Sequence, residues 1–293
     1  MTDKQKAMLY GAFLGDSLAL GAHWIYNTRV IDRKAGRITE LLAPVAGSYH
    51  PHRGAGDLTH YGDQMLFFLN HRIHQGKLDV SRCLSEWQRF FDSYDGYKDG
   101  AMKATYKILN NHPGALRGSD AHDLAGVFYV PVLRAVAGDG DDLSEEVAAA
   151  VRMTHDNDAV VAAAGFLDEV LKSVLGGKDP LSAMEEEALK LADPLSGLLR
   201  KGLESAGQDT RKAIGNFGQA CGVEQGLPGA VHLIASYPGD LEKALIENTM
   251  AGGDSAARGL FVGAVLGAAL GTGALPDRWM KTLKARGDIE TLL

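Results

Sequence analysis

Two apolar segments with glycines at four-residue spacing lie at opposite ends of the chain. The first covers residues 11–21 and contains one charged residue, Asp16, and the second covers residues 254–271 and opens on Asp254. Because glycine has no Cβ atom, this spacing lets two helix backbones approach closely. The sequence therefore predicts that the two helices pack together and bring Asp16 and Asp254 toward one buried polar site.

Apolar residues recur at helical spacing through most of the sequence, for example at Val147, Val151 and Val160. We predict helices over 4–22, 63–75, 79–93, 98–109, 123–137, 144–152, 157–175, 180–192, 195–204, 226–236, 240–250 and 255–271, with Gly, Pro and Asp-rich breaks between them. The longest irregular stretch is 26–62. Since both ends contribute to one centre and no linker divides the chain, we expect an all-α fold with a single domain over residues 1–293.

Composition and charge exclude several classes of protein. A formal net charge of -7 argues against a nucleic-acid or anionic-membrane surface, because both need clustered positive charge. The apolar stretches are too short or too interrupted for a signal peptide or a transmembrane span. Cys83 and Cys221 are far apart and fit no disulfide or zinc motif, so a cytoplasmic location is the default expectation.

Asp16 is surrounded by leucines in its own segment. Burial of a charge is costly unless it has a partner. Two interpretations follow. Asp16 contacts a substrate hydroxyl or a metal, or it is a structural strut that bonds to backbone groups of another helix.

A loop rich in polar side chains precedes the second predicted helix. It holds His60, Tyr61, Asp63 and Gln64, which together supply the donors, acceptors and proton-transfer groups of a small-molecule site. The alternative is that Asp63 simply caps the helix that follows.

A third polar cluster, residues 154–158, also precedes a helix. His155 is a candidate to hold a ribose or a phosphate, while Asp156 or Asn157 caps the helix.

The fourth cluster is Asp254-Ser255, where the N–H groups and dipole of a helix start favour an anion. Asp254 itself would satisfy those donors. Three carboxylates, from Asp16, Asp63 and Asp254, would repel one another unless a cation or a shared proton compensated.

Aromatic side chains near these clusters are candidates for stacking on a base, with a place in the core as the alternative. They include Trp24, which follows His23, and the neighbours Phe128 and Tyr129. Cys221 has no base beside it in the sequence, which favours a small buried residue over a nucleophile. The sequence also lacks the P-loop, nucleophile-elbow and zinc-protease signatures.

Taken in order, the four clusters resemble those of the ADP-ribosylglycohydrolase family over nearly the whole chain. The matching segments are Gly15-Asp16-Ser17-Leu18, Asp63-Gln64-Met65, Thr154-His155 and Gly252-Gly253-Asp254-Ser255. The resemblance implies an all-α, roughly orthogonal multi-helix bundle with a cleft for ADP-ribose between the loops. It also implies a small-molecule or ADP-ribosylated substrate.

The family's metal site is altered in this sequence. In active members a Thr-Asp-Asp run and an Asp-Thr-Asp-Thr run hold two magnesium ions. Here the first run is His60-Tyr61-Gly62 and the second is Asp254-Ser255-Ala256-Ala257, while His23 replaces a common Glu. Magnesium prefers oxygen ligands, so we expect at most one Mg²⁺, held by Asp63 and Asp254. These replacements are similar to those of the divergent branch that includes the jellyfish J-crystallins.

Two hypotheses about function follow. The first is a hydrolase that cleaves an N- or O-glycosidic bond of an ADP-ribose-like substrate. In it Asp63 and Asp254 act on water and His23 or His60 acts as acid or base. The substrate-binding candidates are Asp16, Tyr61, Gln64, Phe128, Tyr129, His155 and Ser255.

The second hypothesis is a non-catalytic binding or structural protein on the same scaffold. Convergence of His23, His60, Tyr61, Asp63 and Asp254 on one pocket would favour the enzyme, because a pseudoenzyme has no reason to keep such a constellation together.

Overall fold

The computed structural model of the chain describes residues 1–138 and 140–293. Those residues form sixteen α-helices, and extended segments pair only through three isolated bridges. The helices are α1 Asp3–Ala19, α2 Thr28–Lys34, α3 His60–Gln75, α4 Val80–Asp92, α5 Gly100–Asn111, α6 Tyr129–Val136, α7 Ser144–Arg152, α8 Asp158–Leu175, α9 Pro180–Ala188, α10 Leu195–Glu204, α11 Thr210–Phe217, α12 Val223–Ser236, α13 Leu241–Met250, α14 Ser255–Leu270, α15 Asp277–Thr282 and α16 Arg286–Leu292. The predicted all-α class is confirmed.

Helices α1 and α14 form the centre of the molecule. Every residue from Ala7 to Ala19 in α1 and from Ser255 to Ala268 in α14 is buried, as expected of helices that other helices surround on all sides. Helices α8, α12 and α13 pack around α14. Among the described residues, no helix is long and apolar enough to cross a membrane.

The glycines of α1 and α14 face one another, as the sequence predicts. A Cβ atom on Gly11 would collide with the carbonyl oxygen of Gly263, and one on Gly263 would collide with the carbonyl oxygen of Gly11. Gly15 and Gly259 form a second reciprocal pair one turn away. The two backbones therefore lie in direct contact, and no residue larger than glycine fits at these crossings.

Substitution of Gly263 by Ala is expected to lower the free energy of unfolding by about 1–3 kcal/mol or more, because the new methyl group overpacks a rigid backbone contact. Gly165→Ala in α8 is the matched control, since a Cβ there meets no atom within 4 Å. The control should stabilise the protein by about 0.5–1 kcal/mol. Urea unfolding measures both. Equal effects of the two substitutions would contradict the close contact.

Several helix boundaries differ from the sequence prediction. Helix α3 begins at His60 rather than at residue 63, because the Thr59 side chain caps it by accepting a hydrogen bond from the Tyr61 amide at 3.1 Å. The prediction that Asp63 caps this helix is therefore wrong, and Asp63 lies in the first turn. At α8 the prediction that Asp156 or Asn157 caps the helix is confirmed, since the cap is Asn157.

The sequence analysis did not predict four short helices, α2, α11, α15 and α16. Each has six to eight residues, which is too few turns to reveal a helical period. The predicted helix 123–137 divides into a 3-10 turn, Leu124–Phe128, followed by α6.

Candidate active site

The turn after α1 and the glycine loop before α14 are joined by backbone hydrogen bonds. The Trp24 amide donates to the Gly253 carbonyl and the Gly253 amide donates to the Ile25 carbonyl, both at 2.9 Å. Gly252 and Gly253 have φ angles of 73° and 68°, and Trp24 has a φ angle of 61°. A bulky residue in this left-handed region is unusual and costs free energy. The contact between the two ends of the chain holds Trp24 in place.

Asp254 lies at the start of α14 and is almost completely buried. One carboxylate oxygen accepts from the Ala257 amide at 3.2 Å and lies 3.1 Å from Nε2 of His23, and the other accepts from the Tyr61 hydroxyl at 3.1 Å. Burial acts to raise the pKa of Asp254, but the hydrogen bonds from His23 and from the Ala257 amide outweigh it and hold the pKa below its usual range. Asp254 therefore stays ionised, and Tyr61 and His23 are oriented by it.

Three buried imidazoles lie side by side next to Asp254. We call His23, His50 and His60 the histidine cluster. Nδ1 of His23 lies 2.9 Å from Nε2 of His50, and the rings of His50 and His60 stack with centroids 5.6 Å apart. Burial lowers the pKa of both His23 and His50. Both side chains are thus neutral near neutral pH.

His60 is held by a second carboxylate, that of Asp99. Nε2 of His60 lies 3.0 Å from Oδ2 of Asp99, while Oδ1 of Asp99 accepts from the Met102 amide at 2.7 Å and caps α5. Burial acts to raise the pKa of Asp99, but the hydrogen bonds from His60 and from the Met102 amide outweigh it and lower the pKa. The molecule thus contains two Asp–His pairs, Asp254–His23 and Asp99–His60, in adjacent positions.

A cavity of about 310 Å³ opens beside these pairs. We call it the aromatic cavity. Its lining residues are Trp24, Tyr26, Tyr49, Tyr61, Tyr97, Asp99, Gly100, Asp123 and Cys221. Trp24 separates the cavity from the histidine cluster, because its ring stacks on His23 with centroids 4.3 Å apart and also contacts Tyr97.

Two carboxyl groups, Asp99 and Asp123, line the aromatic cavity in different electrostatic states. Burial and the nearby charges of Asp99 and Asp254 raise the pKa of Asp123 to about 6, whereas the pKa of Asp99 is lowered. Cys221 lies beside Asp254, and burial raises the pKa of its thiol. Cys221 is therefore protonated and is not a nucleophile at neutral pH.

Asp16 behaves as the structural strut that the sequence left open as one alternative. Its carboxylate accepts from the Thr59 amide at 2.7 Å, from the Thr59 hydroxyl at 2.5 Å and from the Gly62 amide at 3.2 Å. Asp16 is completely buried and is not among the residues that line the aromatic cavity. It anchors the first turn of α3, which carries His60 and Tyr61.

Asp63 does not join the cluster around Asp254. Its carboxylate is 2.6 Å from a guanidinium nitrogen of Arg53 and accepts from the Tyr94 hydroxyl. It borders a separate cavity, lined also by Asp288 of α16. Among the described residues, Asp63 and Asp254 share no hydrogen-bond partner. The expectation that these two carboxylates hold one magnesium ion is therefore corrected, because Asp63 of α3 faces Arg53 and Tyr94, whereas Asp254 faces His23 and Tyr61.

Asp63→Asn is expected to leave the hydrolysis rate unchanged and to lower the free energy of unfolding by about 1–3 kcal/mol, since Arg53 loses its charged partner. Asp288→Asn, at the same cavity, is the control and should have little effect on stability. Chemical denaturation and a turnover assay measure the two outcomes. A large loss of turnover with intact folding would return Asp63 to the catalytic residues.

Other candidates from the sequence lie in the core or near its edge. Phe128 and Tyr129 are buried, and Tyr129 packs edge-on against Phe68 with centroids 4.7 Å apart. The prediction that either ring stacks on a substrate base is therefore corrected: both rings pack in the core. Gln64 is also buried and accepts from the Trp87 indole N–H at 3.2 Å.

His155 and Ser255 are buried as well. His155 lies 2.9 Å from the Thr154 hydroxyl through Nδ1, and burial lowers its pKa to about 4. The Ser255 hydroxyl and Nε2 of His155 have no hydrogen-bond partner among the described residues. Neither side chain lines the aromatic cavity, so a direct substrate contact by either stays a prediction.

The residues of the site that were missed from the sequence include His50, Asp99 and Asp123, and the cavity tyrosines Tyr26, Tyr49 and Tyr97. His50 belongs to the irregular stretch 26–62, where no period marks a position. Asp99 is indistinguishable in sequence from an ordinary helix cap, which it also is. Only the fold brings these residues to His60 and Tyr61.

The arrangement of these loops agrees with comparisons to known proteins. The sequence model described as ADP-ribosylglycohydrolase matches residues 1–293. The chain belongs to the ADP-ribosylglycohydrolase family. This confirms the resemblance drawn from the four sequence clusters.

Individual relatives are distant but cover the whole chain. Crystallin J1A of Tripedalia cystophora is 22% identical over 304 residues, which cover 98% of this chain and 94% of that protein. An uncharacterized protein of Archaeoglobus fulgidus is 23% identical over 301 residues, covering 100% and 95%. A solved structure described as an ADP-ribosylglycohydrolase-related protein complex superimposes with a TM-score of 0.75 at 21% identity, covering 99% of this chain and 95% of that one. The likeness to that structure establishes the fold alone.

Family members are typically metal-dependent, but the residues here do not fit magnesium. Both oxygens of Asp254 are already engaged by Tyr61, His23 and a backbone amide. The neighbouring groups are imidazoles and a phenol, whereas Mg²⁺ requires an octahedral shell of oxygen atoms. The site therefore does not offer magnesium the ligands that it needs.

Proposed function

We propose that this protein hydrolyses an N- or O-glycosidic bond of an ADP-ribose-like substrate in the aromatic cavity. The observation that carries the proposal is that two carboxyl groups, Asp99 and Asp123, line one cavity beside the Asp99–His60 and Asp254–His23 pairs. Two carboxyl groups at one site are the usual apparatus of glycoside hydrolysis. Membership of the family supports the same reaction class.

The two carboxyl groups divide the proton transfers. Asp123 acts as general acid and gives its proton to the leaving group as the bond to the anomeric carbon breaks. Asp99 acts as general base and takes a proton from the water that attacks the same carbon. The raised pKa of Asp123 and the lowered pKa of Asp99 support this assignment, because groups with pKa values pushed apart serve as acid and base. The net reaction adds one water across the glycosidic bond.

The cavity also favours a particular orientation of the substrate. Its walls are mostly aromatic rings, which stack on a sugar or a base. None of its lining residues is basic, so the diphosphate of an ADP-ribose-like ligand would lie outside the cavity. The terminal ribose and its leaving group would lie inside, next to Asp99 and Asp123.

The remaining candidates act indirectly in this proposal. His60 positions Asp99, and Asp254 positions Tyr61 and His23 through the contacts described above. The side chains of His23 and His60 are completely buried, so in this proposal they do not touch the substrate. Residence in the cytoplasm and the absence of a nucleic-acid partner stay predictions.

Release of ADP-ribose from small ADP-ribosylated compounds and from ADP-ribosylated protein, measured by chromatography, tests the proposal. Turnover that is lost in Asp99→Asn and kept in Asp120→Asn, an exposed aspartate three residues before Asp123, would support it. Binding of ADP-ribose without turnover of any tested substrate would instead favour the non-catalytic alternative.

A further inference from the structure

We propose that the histidine cluster, His23, His50 and His60, is a site for a divalent transition metal of the zinc class. This goes beyond the proposed hydrolysis and does not depend on it. The family's magnesium is bound by oxygen, whereas this site offers nitrogen.

The geometry of the cluster suits a single ion. One ring nitrogen from each of the three histidines lies within 4.8 Å of the other two, and all three residues are buried. Nitrogens around one tetrahedral Zn²⁺, each at about 2.1 Å, stand roughly 3.4 Å apart. Two of the nitrogens here, on His23 and His50, are already 2.9 Å apart. A small shift of the rings would thus complete the site.

The cluster contains ring nitrogens that have nothing to bond. Nδ1 of His50 and Nδ1 of His60 are buried and have no hydrogen-bond partner among the described residues. Buried polar atoms are nearly always satisfied in native proteins. A metal ion held by Nδ1 of His23, Nε2 of His50 and Nδ1 of His60 would use the lone pair that His60 leaves without a protein partner.

The outer nitrogens of the cluster are fixed as in metal sites. Nε2 of His23 and Nε2 of His60 are bonded to the carboxylates of Asp254 and Asp99. A carboxylate that accepts the second N–H of a metal-bound histidine orients the ring and increases its basicity. It also leaves Nδ1 of each ring unprotonated. Nδ1 of His60 has no partner among the described residues, and Nδ1 of His23 faces Nε2 of His50. The two carboxylates offset the charge of the ion.

The donor set selects the kind of metal. Imidazole nitrogen suits Zn²⁺, Co²⁺, Ni²⁺ and Cu²⁺, whereas Mg²⁺ prefers oxygen. A zinc ion at this position would lie next to the Asp99–His60 pair, whose carboxylate lines the aromatic cavity.

Metal binding to the full-length chain tests the site. The chain is treated with a chelator, freed of it, and titrated with Zn²⁺ or Mg²⁺ by calorimetry, and Co²⁺ is added as a spectroscopic probe of nitrogen ligation. The variants are His50→Ala and, as the matched control, His52→Ala, which removes an exposed histidine from the same loop. Asp254→Asn tests the outer carboxylate.

We expect one Zn²⁺ per chain and no binding of Mg²⁺ under the same conditions. His50→Ala should weaken Zn²⁺ at least as much as the roughly 10–100-fold expected of Asp254→Asn, while His52→Ala leaves the affinity unchanged. Equal affinity in His50→Ala and His52→Ala would overturn the site, and so would failure of the wild-type chain to bind Zn²⁺. These readouts need no turnover, so they are distinct from failure of the proposed hydrolysis. Circular dichroism establishes that each variant is folded.

Discussion

Replacement of Asp123 by Asn is expected to lower the rate of glycoside hydrolysis by about 10²–10⁴-fold, the usual contribution of a positioned general acid. Asparagine keeps the shape and the polar character of the side chain but has no proton to give. Because the aromatic walls of the cavity are unchanged, the affinity for ADP-ribose should change much less than the rate.

The pH dependence of the wild-type rate follows from the pKa of Asp123, about 6. The protonated form of Asp123 is active, so the rate should fall as the pH rises above 6. At low pH the rate should fall again as the general base Asp99 takes up a proton, and the lowered pKa of Asp99 leaves a level region between the two falls. The groups that set the pKa of Asp123 besides burial are Asp99, Asp254, His122 and Cys221. In Asp123→Asn the residual rate should no longer decrease above pH 6, since the group that titrates there is gone.

Asp120→Asn is the control for this prediction, because Asp120 is exposed and three residues away. Its rate and pH profile should match those of the wild type. A residual rate in Asp123→Asn that still falls above pH 6, or a loss equal to that of the control, would assign the acid to another group.

The sequence predicts the central helix pair and the fold class well, because both rest on strong local signals. Glycine spacing at Gly11, Gly15 and Gly263 has one simple packing solution, and long amphipathic helices reveal their period. The short helices α2 and α16 lack enough turns to do so. The start of α3 was misplaced because Thr59 and Asp63 are both good helix caps, and only the tertiary bond from Thr59 to Asp16 distinguishes them.

The candidate site was predicted in part, since His23, Tyr61 and Asp254 do lie together. Their association follows from the pairing of the chain ends, which the glycine pattern indicates. The positions of His50 and Asp99 could not be predicted from the sequence. His50 lies in a long loop and Asp99 at the start of a distant helix, and only the tertiary fold brings them to the site. Asp63 was placed wrongly because it lies two residues after Tyr61 in α3, about 200° around the helix, so the two side chains face opposite sides.

Asp16→Asn is expected to destabilise the protein most strongly at acid pH. In its protonated form Asp16 can accept from the amides of Thr59 and Gly62 and donate to the Thr59 hydroxyl, so all three contacts are satisfied. Asparagine has only one oxygen, and its NH₂ group would face an amide N–H. The donor that is left unpaired in the core costs about 1–3 kcal/mol, and the first turn of α3 loosens with it.

The size of this effect should depend on pH in a defined direction. Burial raises the pKa of Asp16 from 3.8 to about 7, so the folded state holds the proton more tightly than the unfolded chain. The contribution of Asp16 to stability is therefore largest near pH 4 and falls as the pH rises to 7. Between pH 5 and pH 8 the difference in unfolding free energy between wild type and Asp16→Asn should shrink by about 2–3 kcal/mol.

Urea unfolding at pH 5 and pH 8 measures this change, with Ser17→Ala as the control. The buried Ser17 hydroxyl donates to the Asp57 carbonyl at 2.9 Å and does not titrate, so its loss should cost the same at both pH values. A difference for Asp16→Asn that grows toward pH 8 would mean that the strut is an ionised carboxylate, stabilised by the three donors more than burial penalises its charge. The anchor of His60 and Tyr61 would then be an ion, and the first turn of α3 would loosen on acidification.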